Sequence, residues 1–280
     1  MKLDSFNEIV SKYKVVFFDS YGVLKNHQGL IPGIHDTIDH LRQHHIDFYL
    51  LTNDASRSPA ELAQVYIDGG VYITPDKVIS SGMIALEYLR YKVSWGTVAY
   101  LGTQKSSHYV AQVGLKTISI SDVNDDNMNQ ISALVLLDDE GFDWNVDINK
   151  AINLLRKRNI PVVVANTDFT YPVSKNDVAL AIGGIGEMLE RIIRKRFIHF
   201  GKPDTQMFHF AFDHVQKTNP VSKNDILMVG DTLNIDILGA NKFGIDTALV
   251  LTGNTQPNRA EILIETMGIV PDYICESVVG

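Results

Sequence analysis

Four polar residues each stand just beyond an apolar run, and together they have the makings of phosphoryl chemistry. Asp19 follows Val15-Val16-Phe17-Phe18, Thr52 follows Phe48-Tyr49-Leu50-Leu51, and Asp231 follows Ile226-Leu227-Met228-Val229-Gly230. Lys202 comes shortly after the short run 197–200. A carboxylate at the carboxyl end of a central strand sits where open α/β sheets place ligands. It can serve as a nucleophile, a metal ligand or both, or it can cap the turn that follows. Two such carboxylates side by side repel, and burial makes ionising both costlier. A hard cation resolves that conflict, and Mg²⁺ takes oxygen ligands from one or two carboxylates beside a phosphate. Asp236, five residues after Asp231, falls in the first turn of the next helix, placed to order the metal's waters or to hold Lys202. The Thr52 hydroxyl and the Asn53 amide, beside backbone N–H groups, suit phosphoryl oxygens. Lys202 supplies the compact positive charge that a developing phosphorane needs.

The elements that must position these groups alternate strand and helix. Amphipathic spacing predicts a helix over 3–13, then a strand at 14–18 buried on both faces. Pro32-Gly33 opens a helix with Ile34, Ile38 and Leu41 on one face, followed by the strand at 48–52. Ser58-Pro59 marks the next helix start. Further strands are expected at 78–80, 97–101, 133–137, 161–165, 179–182, 197–200, 226–229 and 248–251, with helices at 148–158, from 183, at 204–217 and at 235–243. This alternation means parallel sheets. If the four strand ends are neighbours in one sheet, their polar groups converge on a single edge.

Composition bounds the rest. The 280 residues suit one large or two medium domains, and 45% hydrophobic content suits a soluble globular protein. A formal charge of −8 argues against nucleic-acid binding, and an anionic substrate then needs local cations or a metal. The single cysteine, Cys275, excludes an internal disulfide. Asp4, Asn7, Glu8 and Lys12 interrupt any signal-like apolar run, and no segment has the ~20 apolar residues of a membrane helix. The expectation is a cytoplasmic protein with no membrane partner.

The ordered set resembles the haloacid dehalogenase (HAD) superfamily, subclass IIA, over essentially the whole chain. Phe18-Asp19-Ser20-Tyr21-Gly22-Val23-Leu24 is similar to its first motif and Leu51-Thr52-Asn53 to its second. Gly201-Lys202-Pro203 is similar to the third, and Gly230-Asp231 through Asp236 to the fourth. The resemblance implies a doubly wound α/β core, residues 1–82 and 184–280, with an inserted α/β cap at 83–183. It implies that Asp19 attacks phosphorus while Thr52 and Lys202 hold the oxygens. It also implies a Mg²⁺ held by the Asp19 and Asp231 side chains and the Tyr21 backbone carbonyl, with Asp236 beside it. Asn166-Thr167-Asp168 resembles the cap segment that faces substrate, making Asp168 a substrate-binding candidate with Asn53. The substrate class is a small phosphorylated metabolite, and subclass resemblance makes a homodimer the expected assembly.

One position departs from the pattern. The family's first motif carries a second Asp two residues after the nucleophile, as general acid and base; here it is Tyr21. A carboxyl group titrates near ~4–6 and a phenol near ~10, so the phenol does both jobs poorly at neutral pH. The change implies a slow enzyme, a preference for good leaving groups, or a proton from elsewhere, Asp168 included. The rival reading is a HAD-fold protein that binds a phosphorylated ligand and scarcely turns it over. Metal-independent dehalogenation on the same nucleophile leaves the Asp231–Asp236 pair without a purpose. The histidines lack ligand spacing, since His44 and His45 are adjacent and His209 and His214 are five apart. Gly183-Gly184-Ile185-Gly186 lacks the Lys-Ser/Thr of a phosphate loop and reads as a hinge.

Overall fold

The strand Val15–Phe18 is buried along its whole length, and its two flanks are taken by parallel neighbours. Val15 pairs with Asp47 on one side and with Ile226 on the other, so Asp47–Thr52 and Ile226–Gly230 enclose it. Val, Phe, Leu and Ile supply the continuous apolar faces that such a doubly covered strand requires. In this computed structural model, which describes residues 2–174 and 177–280, the chain forms two compact units.

The first unit comprises the residues up to Thr52, Pro59–Ile79 and Lys202–Gly280. Its sheet has six strands in the order Tyr273–Cys275, Asp246–Val250, Ile226–Gly230, Val15–Phe18, Asp47–Thr52, Val78–Ser80. Helix Ile34–Gln43 buries Ile34, Thr37, Ile38 and Leu41, the 3.6-residue face expected of it, against a core containing Val16, Phe18 and Leu50. Gly33 opens that helix at φ +88, a left-handed conformation that a side chain would strain. Asp204 caps helix Thr205–Gln216 by accepting from the Gln206 N–H at 2.9 Å. The expected N-terminal helix is confined to Phe6–Val10, with Leu3 exposed before it and Tyr13 buried beyond its end.

The second unit comprises Asn53–Ser58 and Ser80–Gly201. Its five-stranded sheet runs Ile198–His199, Val162–Val164, Ile131–Leu136, Thr97–Leu101, Lys116–Ser119, with parallel pairing throughout. Helix Asp147–Lys157 turns Ile148, Ala151, Leu154 and Leu155 inward, and helix Ile182–Ile193 adds Ile182, Ile185 and Leu189 to the same core. A short antiparallel pair, Thr170–Pro172 with Val178–Leu180, precedes that second helix.

One expectation needs correcting. The strand before Lys202 is not a member of the six-stranded sheet: Ile198 and His199 pair with Val163 and Val164 of the second unit. Phe197 packs into that unit's core, which fixes the strand there. Lys202 itself begins the last segment of the first unit, directly after Gly201 at φ +136. Among the described residues, no helix is long and apolar enough to cross a membrane.

Candidate active site

Parallel pairing delivers three of the four strand ends to one edge. Phe18 stands in register with Leu50 and Val229, and the Asp19 N–H continues the ladder by donating to the Val229 carbonyl at 2.9 Å. Asp19, Thr52 and Asp231 therefore emerge side by side by construction. Beyond Asp19 the chain turns at once: the Leu24 and Lys25 N–H groups both donate to the Ser20 carbonyl at 3.1 Å, and Gly22 N–H donates to the Lys25 carbonyl at 2.7 Å. Gly22 adopts φ +84, and a Cβ there would fall 2.3 Å from an Asp231 carboxylate oxygen. Only glycine meets both demands.

Lys202 reaches this edge from its own segment. Its Nζ donates to Asp19 Oδ1 at 2.5 Å and to Asp236 Oδ1 at 2.7 Å, and the side chain is almost wholly buried. Asp236 is brought in by the turn Leu233–Ile237, where the Thr232 N–H donates to its second oxygen at 3.1 Å. Glycine is required at 230 as well, since a Cβ there would lie 2.1 Å from the Asp236 Cβ. Asp231 accepts from the Thr232 hydroxyl at 2.9 Å and from the Asn254 N–H at 2.5 Å. Neither Thr232 nor Asn254 stood out in the sequence. Thr232 had a signal, a hydroxyl directly after Gly-Asp, whereas Asn254 reaches the site through a loop 23 residues on, with no local mark.

Asp19, Asp231 and Asp236 present oxygens that lie within 4.8 Å of one another. Three carboxylates thus face one ammonium. Burial and then the charges of Asp236 and Asp19 raise the Asp231 carboxyl well above the usual carboxylate range. Burial also lifts Asp236, to about 7, against the pull of Lys202. For Lys202, burial pulls the ammonium down, and Asp19 with Asp236 more than reverses it, so it stays charged. An excess of buried negative charge on hard oxygen donors fits a divalent cation, which would relieve the repulsion directly.

The sign of the resulting pH dependence follows. Acids with raised folded pKa values bind protons more tightly folded than unfolded. Their stabilising contribution is full below the unfolded value near 3.8 and is lost as pH rises through the folded value, about 7 for Asp236. The metal-free protein is therefore expected to melt at a lower temperature at about pH 8 than at about pH 5. Added Mg²⁺ should restore more at the higher pH, where its ligands are deprotonated. A melting temperature that rises across that interval without metal would contradict the arrangement.

The remaining expected site residues separate. Thr52 is buried at the end of its strand, next to the strand carrying Asp19. Asn53 and Asp168 meet each other in the second unit: the Asn53 carboxamide nitrogen donates to Asp168 Oδ1 at 2.9 Å and to Thr167 Oγ1 at 3.0 Å. Tyr21 lies in the turn after Asp19; its hydroxyl oxygen is buried with no hydrogen-bond partner among the described residues, and burial pushes the phenol up.

Family models match either end of the chain, a haloacid dehalogenase-like hydrolase over residues 16–116 and a HAD-hydrolase-like model over 199–280. A crystal structure from Cytophaga hutchinsonii, described as a possible sugar phosphatase of the HAD superfamily, is 56% identical. It covers 100% of this chain and 99% of its own, with a TM-score of 0.96. The chain belongs to the HAD superfamily. An acid sugar phosphatase of Staphylococcus haemolyticus is 25% identical over 88% of both chains. A glycerol phosphate phosphatase of Mycobacterium tuberculosis, solved in complex with magnesium, shares the fold at 24% identity and a TM-score of 0.79. That alignment covers 99% of this chain and 78% of the other. Within the HAD superfamily, the chain lies among relatives that carry phosphatase names.

Proposed function

We propose that the protein is a Mg²⁺-dependent phosphatase that hydrolyses a small phosphomonoester of the sugar-phosphate kind. The observation that carries this reading is the Lys202 ammonium held between Asp19 and Asp236, with Asp231 completing the carboxylate group. Asp19 is the nucleophile: its carboxylate oxygen attacks phosphorus, the bond to the leaving oxygen breaks, and an aspartyl-phosphate forms. Water then attacks the phosphorus of that acyl phosphate and the bond to the Asp19 oxygen breaks, releasing inorganic phosphate and restoring the carboxylate; the proton that water gives up balances the one the departing alkoxide takes from solvent. Lys202 and the Thr52 hydroxyl hold the phosphoryl oxygens as charge develops on them. Asp236 is bonded to Lys202 and so keeps the ammonium in place. The Asp19 and Asp231 side chains and the Tyr21 carbonyl would hold Mg²⁺, which supplies charge neutralisation to a bound phosphoryl group. The inserted residues 83–183 act as the cap domain that sets substrate choice. The protein works on soluble metabolites in the cytoplasm, as a homodimer.

The Tyr21 hydroxyl favours one qualification. A phenol whose hydroxyl oxygen is buried, and which that burial holds above its usual range, is a poor proton source for an alkoxide. Turnover is accordingly slow for substrates with poor leaving groups, and at the limit the protein is a phospho-ligand binder. Release of phosphate from an aryl phosphate, with and without Mg²⁺, tests the reading. Wild-type protein should release phosphate only with the metal, and Asp19→Asn should lower the rate by at least about 10³-fold, as for loss of a covalent nucleophile. An Asp19→Asn protein that keeps wild-type turnover would end the aspartyl-phosphate reading. A well-folded wild type without turnover, yet stabilised by a phosphate analogue and Mg²⁺, would establish the binder.

A further inference from the structure

The short segment Asn53–Ser58 belongs to the second unit although it lies between two stretches of the first. It is held there at both ends. The Ser81 hydroxyl donates to the Asn53 carbonyl at 2.8 Å, and the Tyr109 hydroxyl donates to the Arg57 carbonyl at 2.8 Å while lying 2.6 Å from the Ser80 hydroxyl. The Asn53 side chain adds a third tie. Its nitrogen spends both protons on Thr167 and Asp168, at 3.0 and 2.9 Å. Those two acceptors sit in a turn fixed by the Asp168 N–H donating to Asn166 Oδ1 at 2.8 Å. The start of helix Ile182–Ile193 backs the same turn, since a Cβ on Gly183 would lie 2.5 Å from the Asp168 carbonyl oxygen.

Gly201 closes the arrangement. At φ +136, a Cβ there would fall 2.8 Å from Asn53 Oδ1 and 2.9 Å from Thr167 Oγ1. The backbone at Gly201 is therefore seated against the same carboxamide. Asn53 and Gly201 are the chain neighbours of Thr52 and Lys202. A trans peptide sets consecutive Cα atoms about 3.8 Å apart, so fixing one residue limits its neighbour closely.

We propose that Asn53 is a positioning residue for the phosphoryl site. Its carboxamide clasps the Thr167-Asp168 turn and the backbone at Gly201, and so fixes the two chain ends from which Thr52 and Lys202 extend. The inference deepens the phosphatase reading and rests on it. The Asn53 carboxamide nitrogen is committed to Thr167 and Asp168, and the residue acts through Thr52 and Lys202. A displacement of about 1 Å at such groups can lower a rate about 10²-fold.

The test uses the full chain with Mg²⁺ and 4-nitrophenyl phosphate, comparing Asn53→Ala, Thr167→Val and the double variant. Expected for Asn53→Ala is a kcat lower by about 10- to 100-fold, with KM within about threefold. The double variant should be no slower than Asn53→Ala, because both remove one clasp. Amide hydrogen exchange at 53–58 and 200–203 should quicken in each variant, with the rest of the chain protected as in wild type. A raised KM with kcat kept would make Asn53 a substrate ligand and overturn the proposal, as would multiplicative losses in the double variant. Unchanged exchange in all variants would overturn it equally. The exchange measurement needs no turnover, so a wild type without phosphatase activity defeats the phosphatase reading while the clasp is still judged.

Discussion

Replacing Lys202 with methionine is expected to destabilise the protein by about 3–5 kcal/mol, the usual cost of stranding a buried charge partner. Methionine keeps most of the length and fills the space, so little of the loss comes from a cavity. What remains is Asp19 and Asp236 facing each other, with Asp231 near, and no ammonium among them. The destabilisation should shrink as pH falls and the carboxyl groups take up protons, because a neutral acid no longer needs the lost partner. Urea unfolding at about pH 5 and about pH 8 reads both effects. Turnover should fall by about 10²–10³-fold even where the variant is folded, as for loss of a single oxyanion donor. Lys202→Arg is not expected to rescue either property. The guanidinium is a broad planar fork, and the space between two carboxylates only 2.5 and 2.7 Å from one nitrogen suits a point charge. Equal stability of wild type and Lys202→Met would show that the two acids do not depend on the ammonium.

Tyr21→Asp is expected to raise turnover of alkyl phosphates by about 10²-fold or more, within the range that a positioned acid contributes. The same change should do far less for 4-nitrophenyl phosphate, whose leaving group departs as a stabilised anion. The asymmetry is the informative quantity. An acid inserted two residues from Asp19 also adds charge to a site already rich in it, so Mg²⁺ affinity should rise in parallel. Tyr21→Asn removes the ring without supplying a proton and serves as the control; it should leave the alkyl-to-aryl ratio near that of wild type. A uniform rise on both substrate classes would mean that the tyrosine obstructs the site sterically rather than failing as an acid.

Much of this site was legible in the sequence because its groups end apolar runs. Asp19, Thr52 and Asp231 follow strands whose burial is written in consecutive Val, Ile, Leu and Phe, and parallel order does the rest. Lys202 was legible as a residue and misread in its setting, since a two-residue strand gives no hint of which sheet it joins. Asn53 was legible only as an amide near phosphate. Its partners lie more than a hundred residues away, and a hydrogen bond of that span leaves no trace in local spacing. Asn254 and Gly253, which press against Asp231, were invisible for the same reason. Local pattern encodes which face is buried; it does not encode which distant loop comes to rest on a strand end.

The order of strands in the six-stranded sheet has a consequence for synthesis. Val15–Phe18 finds one neighbour early, in Asp47–Thr52, but its other neighbour is Ile226–Gly230, near the far end of the chain. At ribosomal rates of about 5–20 residues per second, that second partner appears roughly 10–40 s after the first. During this interval the nascent chain carries an apolar strand with one edge open. The contiguous stretch Ser80–Gly201 emerges meanwhile and holds all five strands of its own sheet. The unit whose sheet lies in one contiguous stretch is thus able to complete that sheet on the ribosome before the first unit can complete its own. The catalytic edge, assembled last, is what a trailing chaperone would have to protect.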